Sequence, residues 1–300
     1  MDSDQGLTAA SSRGAVRRGN VLYRHPRVRL GLLLGPPMLW LGVAYLGALA
    51  ALFVTALWSQ NSFTGLVERD WSLDSFRTLF TVEVYRTIAL RTIAVAVLVT
   101  VIDAVVAFPI ALYMSKVARP GLRRVLLVAV LMPLWASYLV KAYAWRGMFS
   151  EGGLVSSLAG LVGLSSPGYG LTATIVTLAY LWLPYMILPI FAGLERLPNS
   201  LLEASADLGG KTATTLRRIV LPVIVPAVVA GSIFTFSLTL GDYIAVRIVG
   251  GTNQLLGNVV YDNVGAANNL PFAAAVATVP VVVMLVYLAA VRRTGAMESL

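Results

Sequence analysis

The sequence predicts an all-α, polytopic membrane protein with six transmembrane helices, and three observations predict it. The chain is 58% hydrophobic and only 12% charged, where a soluble domain carries roughly 25% charged residues. Six stretches are apolar over about the 20 residues that a helix needs to cross a bilayer. The basic residues gather in alternate connections between those stretches, as the positive-inside rule requires of a multi-pass protein.

Residues 1–29 are polar, small and basic and read as a cytoplasmic tail without stable structure. The transmembrane domain is expected over 30–300, with spans at about 30–58, 92–114, 125–147, 172–194, 219–240 and 271–291. The first apolar run is too long for the core of a cleavable signal peptide, so it is expected to stay. It is also long enough to tilt, and its Gly31 and Gly35 form a GxxxG pattern that permits close helix approach.

Prolines lie inside or at the edge of every span, among them Pro109, Pro133, Pro184, Pro189, Pro222 and Pro280. A carbonyl freed by proline must find another partner in lipid, so these helices are expected to pack within a bundle. Of the outer connections, 59–91 is expected to hold a short interfacial helix with Ser72 as its N-cap. The connection 148–171 is expected to hold a short helix around Leu154–Leu161 and a turn at Ser165-Ser166-Pro167-Gly168. No duplication at a fixed period is visible.

Charge fixes the expected orientation. With a cytoplasmic N-terminus the inner segments are 1–29, 115–124, 195–218 and 292–300, and they hold sixteen of the 23 basic residues. Both termini and the 195–218 loop are therefore expected in the cytoplasm of a cell whose plasma membrane the chain spans. The net charge of +9 is topology and not a nucleic-acid footprint.

The same composition excludes several chemistries. There is no Cys, the only His is His25 in the tail, and no HExxH occurs. Disulfides, thiol chemistry and a zinc site are thereby removed. No catalytic set and no metal site is expected.

The 195–218 loop is the most informative segment. Asn199 or Ser200 after Pro198 can cap a short helix from Leu201 to Leu208. Gly209 or Gly210 can end it in a left-handed turn, and Thr212 or Thr214 can cap the helix that returns to the membrane. Small Ala204, Ser205 and Ala206 offer a low-relief surface that fits a partner's groove. Glu203 can make charge-assisted bonds to the elbow's own backbone or to a partner cation. Gly210-Lys211-Thr212 looks like the end of a phosphate loop, but its first Gly would stand at 205, which is Ser205, and the segment upstream reads as helix where a phosphate loop follows a strand. The chain is not expected to bind nucleotide.

Glu203, Ala204, Ser205 and Gly209, followed after nine residues by Ile219, Leu221 and Pro222, resemble the "EAA" loop of permease subunits in binding-protein-dependent ABC importers. That pattern is Glu-Ala-Ala, a Gly after three further residues, nine free positions and Ile-x-Leu-Pro; Ser205 is its one departure. The resemblance implies a type I importer permease in which this loop, through Glu203, Ala204, Ser205, Ala206, Asp207, Gly209 and Pro222, docks on a separate ATPase. It further implies an ATPase dimer that binds ATP and Mg, a second and non-identical permease, and an extracytoplasmic substrate-binding protein, all within a bacterial cytoplasmic membrane. The chain itself would hold no cofactor and would not be an enzyme.

Met132-Pro133-Leu134-Trp135 with Lys141-Ala142-Tyr143-Ala144-Trp145, and Thr239-Leu240-Gly241-Asp242-Tyr243, look like the spermidine/putrescine group of those permeases. A polyamine is therefore the expected substrate. Ferric iron, an opine, a phosphonate or thiamine is the alternative, since permeases for these share parts of the pattern. A stand-alone secondary transporter and a membrane enzyme are the remaining rivals. The first would need ion-coupling residues or inverted repeats, and the second a polar set at membrane depth; neither is visible.

Candidate pathway residues follow from cost and chemistry. Asp103 is the one acid in the middle of an apolar span, so it faces protein or water. It reads as a cation contact or as a structural hydrogen bond to a neighbouring helix or subunit. Asp242 and Tyr243, at the outer end of the fifth span, read as an entrance for a polyamine or as a helix cap. Trp135, Tyr138, Trp182 and Tyr185, with Tyr143 and Trp145, can build an aromatic cavity for a flexible cation, and aromatics also fill packed cores and interfaces. Lys141 argues against a purely cation-attracting site unless it is paired.

Overall fold

The computed structural model describes residues 26–61, 63–161, 163 and 166–293. Expectations for residues 1–25, including His25 and the basic tail, and for Ser165 and residues 294–300 lie outside the described residues. The chain divides into two units between Ala51 and Leu52. The first holds α1 (Pro26–Leu41), a π-helical turn (Gly42–Leu46) and the start of α2 (Gly47–Ala56). Pro36 and Pro37 sit inside α1, where each removes one backbone hydrogen bond.

The second unit begins with the end of α2. A two-residue hairpin follows, β1 (Ser59–Gln60) with β2 (Val67–Glu68), in which Ser59 faces Glu68 and Gln60 faces Val67. Then come α3 (Asp74–Thr81), α4 (Glu83–Leu112), α5 (Pro120–Trp135), α6 (Tyr138–Phe149) and α7 (Leu154–Leu161). They are followed by α8 (Leu171–Arg196), α9 (Asn199–Asp207), α10 (Thr212–Thr215), α11 (Leu221–Leu240), α12 (Ile244–Val249), α13 (Leu256–Val264) and α14 (Leu270–Arg293). A π-helical turn closes α4 (Tyr113–Val117), and another joins α10 to α11 (Leu216–Val220).

Among the described residues five helical stretches are long and apolar enough to cross a membrane, Leu30–Ala56, Glu83–Val117, Leu171–Arg196, Thr212–Leu240 and Leu270–Arg292, and the bent pair α5 with α6–α7 makes a sixth if it counts as one span. The expected span 92–114 lies inside a helix that starts at Glu83, because the polar turns before Thr92 stay helical. The expected span 219–240 likewise starts earlier, at Thr212.

The expected third span, 125–147, is not one helix. α5 stops at Trp135, Ala136 is extended (φ −73°, ψ 142°), and the pair α5 with α6–α7 is bent by 96°. Pro133 lies in the last turn of α5, where it removes one helical hydrogen bond, to the carbonyl four residues before it. The break is stapled by Lys141, whose Nζ donates to the Pro133 carbonyl at 3.0 Å. Lys141 is thus a paired structural cation.

The Leu154–Leu161 helix is present as α7. In the turn after it, Gly168 takes φ +57° and donates its N–H to Ser166 Oγ at 3.3 Å. The interfacial helix is present as α3, but Ser72 is not its cap residue. Leu73 holds that position, and Ser72 Oγ accepts the Asp74 N–H from one residue further out.

α8 is the central helix and packs against both α4 and α11. Towards the end that carries α9, Ala107, Ala111 and Met114 of α4 meet Met186, Ile190 and Leu194 of α8 and Ile224 of α11. Towards the other end, Val95 and Val99 meet Leu178 and Leu181. The helices approach closely because the residues between them are small. A Cβ on Gly231 would stand 2.7 Å from Met186 Sδ, and one on Gly193 would stand 2.7 Å from Ala227 Cβ. Such contacts leave no room for added methylenes.

Candidate coupling elbow and translocation pathway

The elbow is built from the end of α8 upward. Leu197 is extended (φ −74°, ψ 115°) and Pro198 supplies no N–H, so the chain leaves α8 and re-enters helix at Asn199. Neither Asn199 nor Ser200 caps α9. Asn199 turns its side chain the other way, and its Oδ1 accepts a hydrogen bond from Lys116 Nζ at 3.1 Å.

The far end of α9 is a glycine stop. Gly209 takes φ +74°, the left-handed region that side chains other than glycine's enter at a cost. Gly209 N–H donates to the Ala206 carbonyl at 2.9 Å and Gly210 N–H to the Ser205 carbonyl at 2.8 Å. Neither Thr212 nor Thr214 caps α10; the cap position is Lys211, without a side-chain bond. Thr215 acts instead, with its Oγ1 2.7 Å from Ser205 Oγ.

Ser205 therefore differs from its expected place on a low-relief docking surface: it faces inward and ties α9 to α10. Glu203, Ala204, Ala206, Asp207 and Leu208 form the exposed face, with Leu208 at 89% exposure. Glu203 makes none of the elbow's hydrogen bonds among the described residues. Pro222 lies apart from the elbow, exposed in the first turn of α11.

The family model described as the binding-protein-dependent transport system inner membrane component matches residues 88–293. This chain belongs to that family. Relatives agree. An inner membrane ABC transporter permease protein of Escherichia coli K12, YdcU, is 40% identical over 312 residues and covers 98% of each chain. The spermidine/putrescine transport system permease protein PotB of Haemophilus influenzae is 31% identical, covering 68% of this chain and 73% of its own. Two crystal structures of a bacterial alginate ABC transporter contain chains of the same fold. Their TM-scores are 0.67 and 0.70 at 18% and 16% identity, covering 91% and 92% of this chain and 97% and 96% of theirs. The protein is an ABC importer permease subunit of the inner membrane, with a type I fold. Membership selects this reading over a stand-alone transporter or a membrane enzyme.

Within this permease, four of the candidate pathway residues come together. Tyr138, at the start of α6, donates from its hydroxyl to Asp242 Oδ2. The Tyr138 ring lies 5.8 Å from Trp182, Trp182 lies 6.0 Å from Tyr185, and Tyr185 stacks on Phe234 at 6.3 Å. The run thus passes from the broken helix, along α8, to an exposed face of α11. Phe234 was missed in the sequence, where it is one more apolar residue of a span.

Asp242 stands in the loop after α11, and its Oδ1 accepts the Ala245 N–H at 3.0 Å from one residue outside the cap position of α12, which Tyr243 holds. Burial pushes its carboxyl up to about 6, against the opposing pull of the Tyr138 hydroxyl and the N–H groups of Ala245, Val246 and Ile244.

The other candidates lie elsewhere. Trp135 is 86% exposed at the break after α5. The Tyr243 ring stacks on Tyr261 at 4.9 Å, over which Arg247 also lies. Tyr143 is exposed, and Trp145 packs on Phe149 and Tyr180. Asp103 is fully buried in α4, and among the described residues neither of its carboxylate oxygens has a hydrogen-bond partner. A structural hydrogen bond to a neighbouring helix is therefore absent among the described residues. Thr177 Oγ1, Trp182 Nε1 and Thr239 Oγ1 are likewise buried and without a partner among the described residues. All belong to α4, α8 and α11, the three helices that pack on one another.

Proposed function

We propose that this permease passes a polyamine, such as spermidine or putrescine, and that α9 is the docking helix for a separate ATPase dimer that binds ATP and Mg. The observation that carries the substrate reading is the aromatic run Tyr138–Trp182–Tyr185–Phe234, whose first ring is tied to the carboxylate of Asp242. Aromatic faces and carboxylates are the two groups that attract a flexible organic cation in a site of low dielectric. The relatives named as spermidine/putrescine permeases support the same class.

The exposed face of Glu203, Ala204, Ala206, Asp207 and Leu208, held by the Gly209 stop, supports the docking role. Both termini and α9 are cytoplasmic in this reading, from the distribution of basic residues. A second, non-identical permease completes the pathway, and an extracytoplasmic binding protein delivers substrate. ATP-driven closure of the ATPase dimer shifts the bundle between two conformations through their different contacts with α9.

The test is uptake of labelled putrescine and spermidine by the whole complex in proteoliposomes loaded with ATP. Ferric iron, thiamine, an opine and a phosphonate serve as competitors. Amine uptake that the others leave unchanged is expected. No amine uptake, or displacement by one of the others, contradicts the substrate reading.

A further inference from the structure

The point where α8 gives way to α9 is gripped from two sides by residues that belong to neither helix. Lys116, in the π-helical turn that closes α4, donates from Nζ to the Leu197 carbonyl at 2.7 Å and to Asn199 Oδ1 at 3.1 Å. Its neighbour Ser115 donates to Glu195 Oε1 at 2.9 Å. Arg123, in the first turns of α5, pairs with the other oxygen, Glu195 Oε2, and lays its guanidinium over the Phe191 ring at 5.1 Å.

The backbone explains why a cation is needed here. Pro198 ends the helical ladder, and the Leu197 carbonyl is left for a side-chain donor. Leu197 itself is 2% exposed, so leaving that carbonyl unpaired would be costly.

We propose that Lys116 and the Glu195–Arg123 pair are positioning residues of a mechanical relay: they pass movement of the docking helix α9 separately into α4 and α5. This rests on the reading of α9 as the ATPase-docking helix. The two outputs lead to different places. α4 carries Asp103. α5 is a 16-residue rod, about 24 Å long at 1.5 Å per residue, and it ends at the break before Tyr138. A displacement of Arg123 therefore arrives at the Tyr138–Asp242 contact, at the other end of α5.

A lone surface ion pair would transmit little. Here Glu195 is held by two donors, one from each receiving element. Lys116 holds both the last residue before Pro198 and the first residue of α9. The link is multiple and short, which is what a rigid coupling between packed elements requires.

The chain has no Cys, so Leu139→Cys, an exposed position beside Tyr138, gives a single reporter within this chain, whose labelling is read on the separated subunit. The purified whole complex in proteoliposomes is labelled with a maleimide with and without ATP. Lys116→Met and Glu195→Gln are expected to keep the ATPase bound but to reduce the nucleotide-dependent change in labelling rate about tenfold, within the usual range of coupling between sites. Lys116→Arg is expected to restore it. Because a single change can loosen the docking face itself, Arg123→Glu, Glu195→Arg and the exchanged pair are measured together; recovery in the pair supports the relay. Unchanged nucleotide responses in Lys116→Met and Glu195→Gln, or an exchanged pair no better than its single changes, would overturn it. Labelling in the otherwise unaltered chain that ignores nucleotide would overturn the ATPase reading and the relay together.

Discussion

The hydroxyl of Tyr138 and the carboxylate of Asp242 join the broken helix α5–α6 to the loop between α11 and α12. That contact ties the start of α6, as the donation from Arg146 Nη1 to the Ile248 carbonyl at 3.1 Å ties its end to α12, and it gives the aromatic run its acid.

The Asp242 carboxyl titrates at about 6 in the folded chain because it is buried, against about 3.9 in an unfolded one. The folded state therefore holds more protons between these values. The group's stabilising contribution is complete below about 3.9 and is lost as pH rises through about 6. Thermal unfolding of the solubilised complex at pH 5 and pH 7.5 should show a fall in Tm that is smaller in Asp242→Asn. The same fall in both would contradict burial as the cause.

Gly209→Val forces a β-branched side chain into φ +74°, a conformation that costs about 1–2 kcal/mol for an ordinary residue. Insertion into the membrane should survive, since the elbow lies outside the spans. ATP hydrolysis by the complex should continue while uptake per ATP falls. Uptake at the level of the unaltered protein would count against the elbow as a coupling element.

Ser205→Ala and Thr215→Ala each remove the one side-chain bond between α9 and α10. Each should lower local stability by about 0.5–1.5 kcal/mol, the usual net worth of a hydrogen bond. Hydrogen exchange of the Gly210 amide reads the change. The double variant should cost no more than either single one, and additive effects would show that the two hydroxyls act independently.

Asp103→Asn removes a buried carboxylate that has no hydrogen-bond partner among the described residues. An unpaired polar group in an apolar span is a cost to the fold, so Tm should hold or rise. If the carboxylate meets a cationic substrate, KM for amine uptake should rise about tenfold, as expected for loss of about 1.4 kcal/mol of binding. A lowered Tm with unchanged KM would make Asp103 a structural residue.

Much of this fold was legible because its signals are local. The α8 and α14 spans came from apolar runs, α7 from the Gly- and Ser-rich connection 148–171, and the left-handed stop from Gly209. What was not legible depends on distant partners. Pro133 marked a weak point in the third span, but nothing nearby revealed a 96° bend; the Lys141 staple and the Tyr138–Asp242 contact appear only when helices pack. Ser205 was read as a small surface residue because its partner Thr215 lies ten positions on, across a turn. The cap expected at Asn199 failed for the same reason. Asn199 is occupied by Lys116, a residue of another helix that charge counting treated only as a topology signal. The aromatic residues were recognisable as candidates, yet only geometry separated Tyr138, Trp182 and Tyr185 from Trp135 and Tyr243.

The central claim is that α9 links this permease to a separate ATPase. The most direct measurement is purification of the tagged chain from its native membrane, with mass spectrometry and an ATP-hydrolysis assay of what accompanies it. A phosphate-loop ATPase is expected with the unaltered chain and is expected to be lost when Glu203 and Gly209 are both changed. A folded chain that purifies without any ATPase, or that keeps its ATPase through those changes, would contradict the claim.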